Sequence, residues 1–225
     1  MTAVAGVRTG VLLILFASVT GVTVSTARMR AEQEHRTARA AMAEAQQTTN
    51  PVRLLVLGMQ IRGALNAALE LDPENLDVRL DLVRFHTIAP RMIGGGSKAA
   101  RAQAAEIARR DPSLGSFARG YIAYRAKEYG LARRELRESV RTARSPATKT
   151  LALKWLGWLS QEMQKYDEAF AVFEELRASD PSALYEIGRT SAFCSCETER
   201  GQKALKEYLA LHPNDENARK LLGVR

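Results

Sequence analysis

LKWLGWLSQEMQKYDEAFAVFEELRASDP, residues 153–181, holds two apolar stripes joined by a short polar stretch, QKYDE. On either side of that joint apolar side chains recur with a helical period, at i, i+3, i+4 and i+7, and not with the alternation of a strand. Gly157 stands inside the first stripe and Pro181 closes the second. A glycine within a helix costs about 1 kcal/mol relative to alanine, so its presence asks for a reason. Two helices touching at that point would supply one.

The closing pattern recurs along the chain. "LELDPEN" (69–75), "ARRDPS" (108–113), "RASDPS" (177–182) and "LALHPND" (209–215) each end an Ala- or Leu-rich amphipathic run with proline. With Pro146 in "ARSPAT", prolines stand at 73, 112, 146, 181 and 213, spaced by 39, 34, 35 and 32 residues. Proline cannot continue a helix beyond its first turn but starts one well. Such a period therefore punctuates successive pairs of helices.

Residues 153–181 resemble the tetratricopeptide repeat family. That family places a Leu-Gly pair midway along its first helix, Tyr at the turn, Ala and Phe on the second helix, and a closing Pro. Leu156, Gly157, Tyr166, Ala169, Phe173 and Pro181 stand at the matching places. The resemblance implies that Gly157 and Ala169 are small where antiparallel helices touch, and that Tyr166 and Phe173 fill the space between hairpins. Leu176 stands where the family prefers Ala, so a wider contact is expected there. The preceding unit matches through Gly120, Tyr129, Ala132 and Leu136. The following one matches through Ile187, Gly188, Leu205 and Pro213, with a turn one residue longer that contains both cysteines. "NARKLLG" (217–223), with Leu222 and Gly223, reads as a lone capping helix. The implied fold is all-α: a right-handed superhelical solenoid of antiparallel helix pairs behind an N-terminal signal segment. Residues 28–50 form a polar, Ala-rich helix that opens the repeat region, and residues 51–225 form the repeat domain.

Within the first third, the Ala-rich run 36–47 is expected to pair across "TTNP" with a second helix carrying Leu65 and Ala68. "LDVRLDLVRFHTIAP" and "KAARAQAAEIARRDP" read as the next pair, joined by Gly94, Gly95 and Gly96. A phosphate-binding loop needs Gly-x4-Gly-Lys-Ser/Thr between a strand and a helix. Here Ser97 precedes Lys98, and a helix comes first. The glycines are read instead as an extended, mobile repeat turn, tolerant of Gly95→Ala, with Ser97 capping the next helix. Several exported bacterial members of the family look similar here, with Ala-Pro and then Gly-Gly before a Lys-Ala helix.

The N-terminus has a basic start at Arg8, an uncharged apolar run over 11–24, and Ser25 and Ala27 at the small-x-small spacing of a cleavage site. Those features make a secretory signal peptide over residues 1–27, with a mature start near Arg28 and a periplasmic product. The alternative is an uncleaved inner-membrane anchor facing the periplasm, since residues 10–27 could barely span a bilayer. Lys and Arg number 33 against 25 Asp and Glu. The charges are spread along the chain without long runs, as on a solvated helical surface, so no nucleic-acid partner is expected and membrane contact is expected only through an uncleaved N-terminus. Cys194 and Cys196, one residue apart, read first as small residues packed at a helix end. A strained disulfide with a redox role in envelope assembly is the alternative.

No Ser/His/Asp set has motif spacing, and His35, His86 and His212 are scattered, so neither catalysis nor a metal or cofactor is expected. What remains is a protein-binding scaffold of the bacterial envelope. By the resemblance, first helices line a concave face that takes a peptide or partner protein. The matching positions are Phe117, Tyr121, Tyr124 and Arg125, then Lys154, Trp158 and Gln161, then Tyr185 and Arg189. Aromatic bodies with cationic tips suit a peptide of apolar and acidic character. The Lys and Asn pattern of members that clamp a C-terminal carboxylate is absent.

Overall fold

Prolines and short polar side chains set where the helices begin. The computed structural model describes the backbone of residues 8–223 and the side chains of residues 26–223, among which there are eleven α-helices and no strand. They are α1 (Arg8–Gln47), α2 (Pro51–Leu71), α3 (Leu76–Ile88), α4 (Ser97–Arg110), α5 (Pro112–Arg125), α6 (Tyr129–Thr142), α7 (Pro146–Glu162), α8 (Tyr166–Arg177), α9 (Ala183–Cys194), α10 (Thr198–Leu211) and α11 (Glu216–Leu222). Pro51, Pro112 and Pro146 each occupy the first turn of a helix, where a missing N–H costs nothing. Asn50, Asn75, Asp111 and Asp215 accept hydrogen bonds from the first free backbone N–H groups of α2, α3, α5 and α11. Of the expected signal segment, residues 1–7 lie outside the described residues, and residues 8–25 are described by their backbone alone, as the start of α1.

The chain divides into two units, Met1–Gly96 and Ser97–Arg225. The expected pairing of α3 with α4 is thereby split between them. In the first unit α1 turns at residues 48–50 and pairs with α2, and Leu57, Ile61, Leu65, Val78, Leu82 and Phe85 form the core. Ala38 and Ala41 let α1 lie close to it. Asp81 is buried on α3 and accepts from His35 Nε2 (2.8 Å), Arg39 Nε (3.2 Å) and Arg84 (2.9 Å), which ties α1 to α3 through a paired buried charge. Among the described residues, α2 is the one helix long and apolar enough to cross a membrane. Its Leu57, Ile61 and Leu65 nevertheless belong to this core, while Val52, Val56 and Met59 are exposed.

The glycine loop is more constrained than the sequence suggests. A 3-10 turn, Arg91–Ile93, follows Pro90, and Gly94 and Gly96 take φ values of 95° and 146°. Gly96 N donates to His86 O at 2.7 Å, His86 Nδ1 lies 2.8 Å from Gly94 O, and Ile93 is buried. A Cβ on Gly95 would collide with the Ala89 carbonyl oxygen. The expectation of a mild Gly95→Ala is therefore corrected: contact with the Ala89 carbonyl, and not torsion, demands glycine there. Ser97 is the first residue of α4 and not the residue before it.

In the second unit consecutive helices pack antiparallel, and α7 also touches α5 and α9, so these three first helices share one face. One contact recurs in each hairpin. A Cβ on Gly120 would stand 2.9 Å from Leu136 Cγ; on Gly157 it would fall on the Phe173 ring, and on Gly188 on Leu205. The large partner stands 16 residues after the glycine in the first two hairpins and 17 after it in the third, whose turn is one residue longer. Phe173 thus packs within its own hairpin, against Gly157. Leu176, which departs from the family pattern, is fully buried.

The turns share a device. Lys127, Gln164 and Ser195 are left-handed, with φ of 62°, 56° and 52°. The following N–H in each case, from Glu128, Lys165 and Cys196, reaches back to the carbonyl of Ala123, Ser160 and Ser191. That closure satisfies a helix-end carbonyl without glycine. Gly157→Leu should lower stability by about 1–3 kcal/mol or more through overpacking at the Phe173 contact. Gly130→Ala, where nothing stands within 4 Å, should leave it unchanged or raise it by less than about 1 kcal/mol. Thermal melts of the two variants check the register: equal melting temperatures would show that the hairpin contact is misplaced.

Candidate functional site

Along α5, residues Phe117, Tyr121 and Tyr124 stand at i, i+4 and i+7 and so project from one side. On α7, Trp155 and Trp158 stand at i and i+3. The packing of α5 on α7 turns these rings into a single layer centred on Trp155. Its ring meets those of Phe117, Tyr121, Tyr124 and Trp158 edge-on, with centroid distances of 6.4, 4.9, 5.4 and 5.3 Å. Edge-to-face pairs of this kind contribute about 0.5–1.5 kcal/mol each beyond their buried area.

A groove of about 440 Å³ opens above this layer. Tyr124, Trp155 and Trp158 form its apolar floor, Arg125 and Glu162 are the last residues of α5 and α7, and Gln161, Arg189 and Phe193 close the α9 side. Of the nine positions selected from sequence, five line it: Tyr124, Arg125, Trp158, Gln161 and Arg189. Phe117 is fully buried and Tyr121 nearly so; both pack beneath Trp155 and offer no groove surface, which corrects the expectation for them. Lys154 is paired with Asp180 at 2.9 Å, and its Nζ lies 6.0 Å from the Trp158 ring centroid. Tyr185 packs on Tyr208, away from the groove lining.

Gln161 is a strut. Buried, it donates through Nε2 to Thr190 Oγ1 (2.7 Å) and accepts from Arg189 (2.8 Å), which locks α7 to α9. Arg189 also pairs with Glu186 at 2.7 Å and lies over the Phe193 ring at 5.5 Å. Arg189 Nε and Trp158 Nε1 are buried with no acceptor among the described residues. Two unpaired donors beside one groove are costly without an acceptor.

Glu162 is clasped by two phenols: Tyr124 and Tyr129 donate to its two oxygens at 2.7 Å each. Burial, and next the hydrogen bond to Glu162, pushes the Tyr124 hydroxyl up to about 12. The two phenols hold the Glu162 carboxyl below its ordinary value. The raised tyrosine stabilises the fold fully below its ordinary value near 10 and loses that contribution as pH rises through about 12. The lowered carboxylate acts in the opposite sense, its contribution fading as acid takes pH down through its folded value. Trp155, Glu162 and Phe193 escaped the sequence reading, because they stand outside the family's contact register. Their spacings to Trp158 and Arg189, i+3 and i+4, were the available signal.

Cys194 and Cys196 form a disulfide with Cα atoms 5.1 Å apart. This replaces the expectation of two packed thiols. The left-handed Ser195 brings the Cα atoms within the range of about 4.4–6.8 Å that bridging requires. No group of three or more His, Cys, Asp or Glu among the described residues is arranged to hold a metal.

No protein-family profile matches the chain. A probable coatomer subunit epsilon from Schizosaccharomyces pombe is 30% identical over 99 residues, 44% of this chain and 34% of that protein, so the match spans about a third of the relative's length. Among solved structures, pilF of Pseudomonas aeruginosa is 19% identical, with a TM-score of 0.55 over 86% of this chain and 83% of that one. PilW, a widely conserved type IV pilus biogenesis factor, is 14% identical, with a TM-score of 0.56 over 89% and 98%. At these identities the likeness establishes the fold alone.

Two measurements check the site. A tyrosinate absorbance titration should show a step near pH 12 that Tyr124→Phe removes; titration of Tyr124 alongside ordinary tyrosines near 10 would refute the Glu162 clasp. Alkylation of the unfolded, unreduced chain should label neither cysteine, and prior reduction should expose both. Labelling without reduction would show that the bridge is absent.

Proposed function

We propose that this chain, which has the tetratricopeptide repeat fold, is a non-enzymatic scaffold of the bacterial envelope that binds a peptide or partner protein in the α5–α7–α9 groove. The observation that carries the reading is the juxtaposition of a half-exposed aromatic floor, Tyr124, Trp155 and Trp158, with two arginines, Arg125 and Arg189. Aromatic and arginine side chains are the residues that most often anchor interfaces. An occupant with an aliphatic or aromatic side chain would cover the tryptophans, and its carbonyl or carboxylate oxygens would accept from Arg125, Arg189 and, after a small ring movement, Trp158 Nε1.

The N-terminal pattern of residues 1–27 supports export to the periplasm with a mature start near Arg28, an uncleaved inner-membrane anchor being the alternative. The disulfide favours an oxidising compartment. The fold shared with a type IV pilus biogenesis factor makes envelope assembly the setting we propose. A second reading, a redox-linked assembly factor using the Cys194–Cys196 pair, is supported by the half-buried Cys196, which borders a cleft of about 460 Å³ with Lys165, Tyr166 and Asp167.

Trp158→Ala decides between groove and packing. Partner capture from envelope extract should weaken by roughly 2 kcal/mol, about 30-fold, with a small change in melting temperature. Trp155→Ala, at the centre of the ring layer, should cost about 3–5 kcal/mol of stability. If Trp158→Ala melts as early as Trp155→Ala, the groove assignment fails. If it leaves capture unchanged while Cys194→Ser/Cys196→Ser abolishes it, the redox reading takes its place.

A further inference from the structure

A second concavity, of about 690 Å³, lies along α6 and shares no lining residue with the aromatic groove. The sequence "YGLARRELRESVRT" sets Arg133, Arg137 and Arg141 at four-residue intervals, with Arg134 beside them. At about 1.5 Å per residue these form a row of guanidinium groups roughly 12 Å long, at a pitch of about 6 Å. Arg119 from α5 and Lys165 from the turn after α7 extend the basic wall.

The carboxylates present do not balance these six cations. Glu168 already holds Arg133 at 2.8 Å and Arg137 at 2.7 Å. Glu135 accepts from Arg119 at 2.9 Å and stands 3.8 Å from Arg134, while Glu138 pairs with Arg141 at 2.6 Å. Three carboxylates thus serve five arginines, and three positive charges remain in excess. The Arg134 and Arg141 side chains are 74% and 72% exposed, and pairs at that exposure exchange partners at little cost.

We propose that the α6 cleft is a docking surface for an acidic segment of a partner protein. Carboxylates recur at about 6 Å along a helix at i and i+4, and at about 6.6–6.8 Å on one side of an extended strand, so either spacing meets the arginine row. Arginine forks suit carboxylates, which they can bind through two parallel hydrogen bonds. A nucleic-acid strand fits less well. No aromatic lines the cleft to stack a base, and Glu135 and Glu138 interrupt the wall that an unbroken row of phosphates would face.

Binding of a fluorescent polyglutamate peptide to the full chain tests this, with an oligothymidylate of equal charge as the rival probe. Polyglutamate should bind more tightly than oligothymidylate at low salt. Arg134→Glu/Arg141→Glu should weaken peptide binding at least about tenfold without changing the melting temperature, as like charges now face each other. Trp158→Ala should bind the peptide as the native chain does, which separates this surface from the aromatic groove. Arg134→Gln/Arg141→Gln, which removes charge without reversing it, provides the same readout should the reversal disturb the fold. Undiminished binding in the reversed and neutralised variants overturns the proposal, and so does tighter binding of oligothymidylate than of polyglutamate.

Discussion

Each hairpin of the second unit depends on one contact: a glycine on the first helix meeting a large apolar side chain on the second. Gly120 on Leu136, Gly157 on Phe173 and Gly188 on Leu205 bring backbones together where any side chain would hold them apart. The loss of helix propensity at a mid-helix glycine is offset by burial of Leu or Phe, about 1.5–3 kcal/mol for a full side chain. Because the same contact recurs, hairpins of similar geometry follow one another, and α5, α7 and α9 come to share a face.

That shared face explains the aromatic layer. Trp155 fills the space between α5 and α7, with rings from both helices against it. Trp158, one turn further on, is left half-exposed and its Nε1 unpaired. Gln161 and Arg189 then carry the link to α9 by hydrogen bonds in place of apolar packing. The groove is therefore the surface of a packed layer, its floor held by Trp155 and its far wall by a polar strut.

The outer side of the same hairpins follows different rules. α6 presents arginines at helical spacing, and its acidic partners come partly from α8 through Glu168. Rings on one side and guanidinium groups on the other give one unit two chemically distinct surfaces. The first two turns stay short on a single left-handed residue each, Lys127 and Gln164, while the longer third turn uses two, Ser195 and Glu197, the disulfide bracketing the first of them.

The linear sequence determined the helices, the pairing of α1 with α2 and of α5 through α10, and the glycines that let them touch. Helical period, proline punctuation and a glycine within each first helix are local signals, and each survives folding because a hairpin closes within about 35 residues; that Phe173 is the side chain set against Gly157 was decided by folding. It also marked Tyr124, Arg125, Trp158, Gln161 and Arg189, which do line one groove. Tertiary structure alone decided the fate of the others. Phe117 and Tyr121 are buried because Trp155, on a different helix, lies across them, and no pattern within α5 announces that. Gly95 looked free in a loop, yet the chain folds back so that the Ala89 carbonyl occupies its Cβ position. Cys194 and Cys196 looked too close to bridge until Ser195 took a left-handed torsion. In each case a residue's role depended on a torsion or on a neighbour brought close by folding, and neither is written in the order of residues along a single helix.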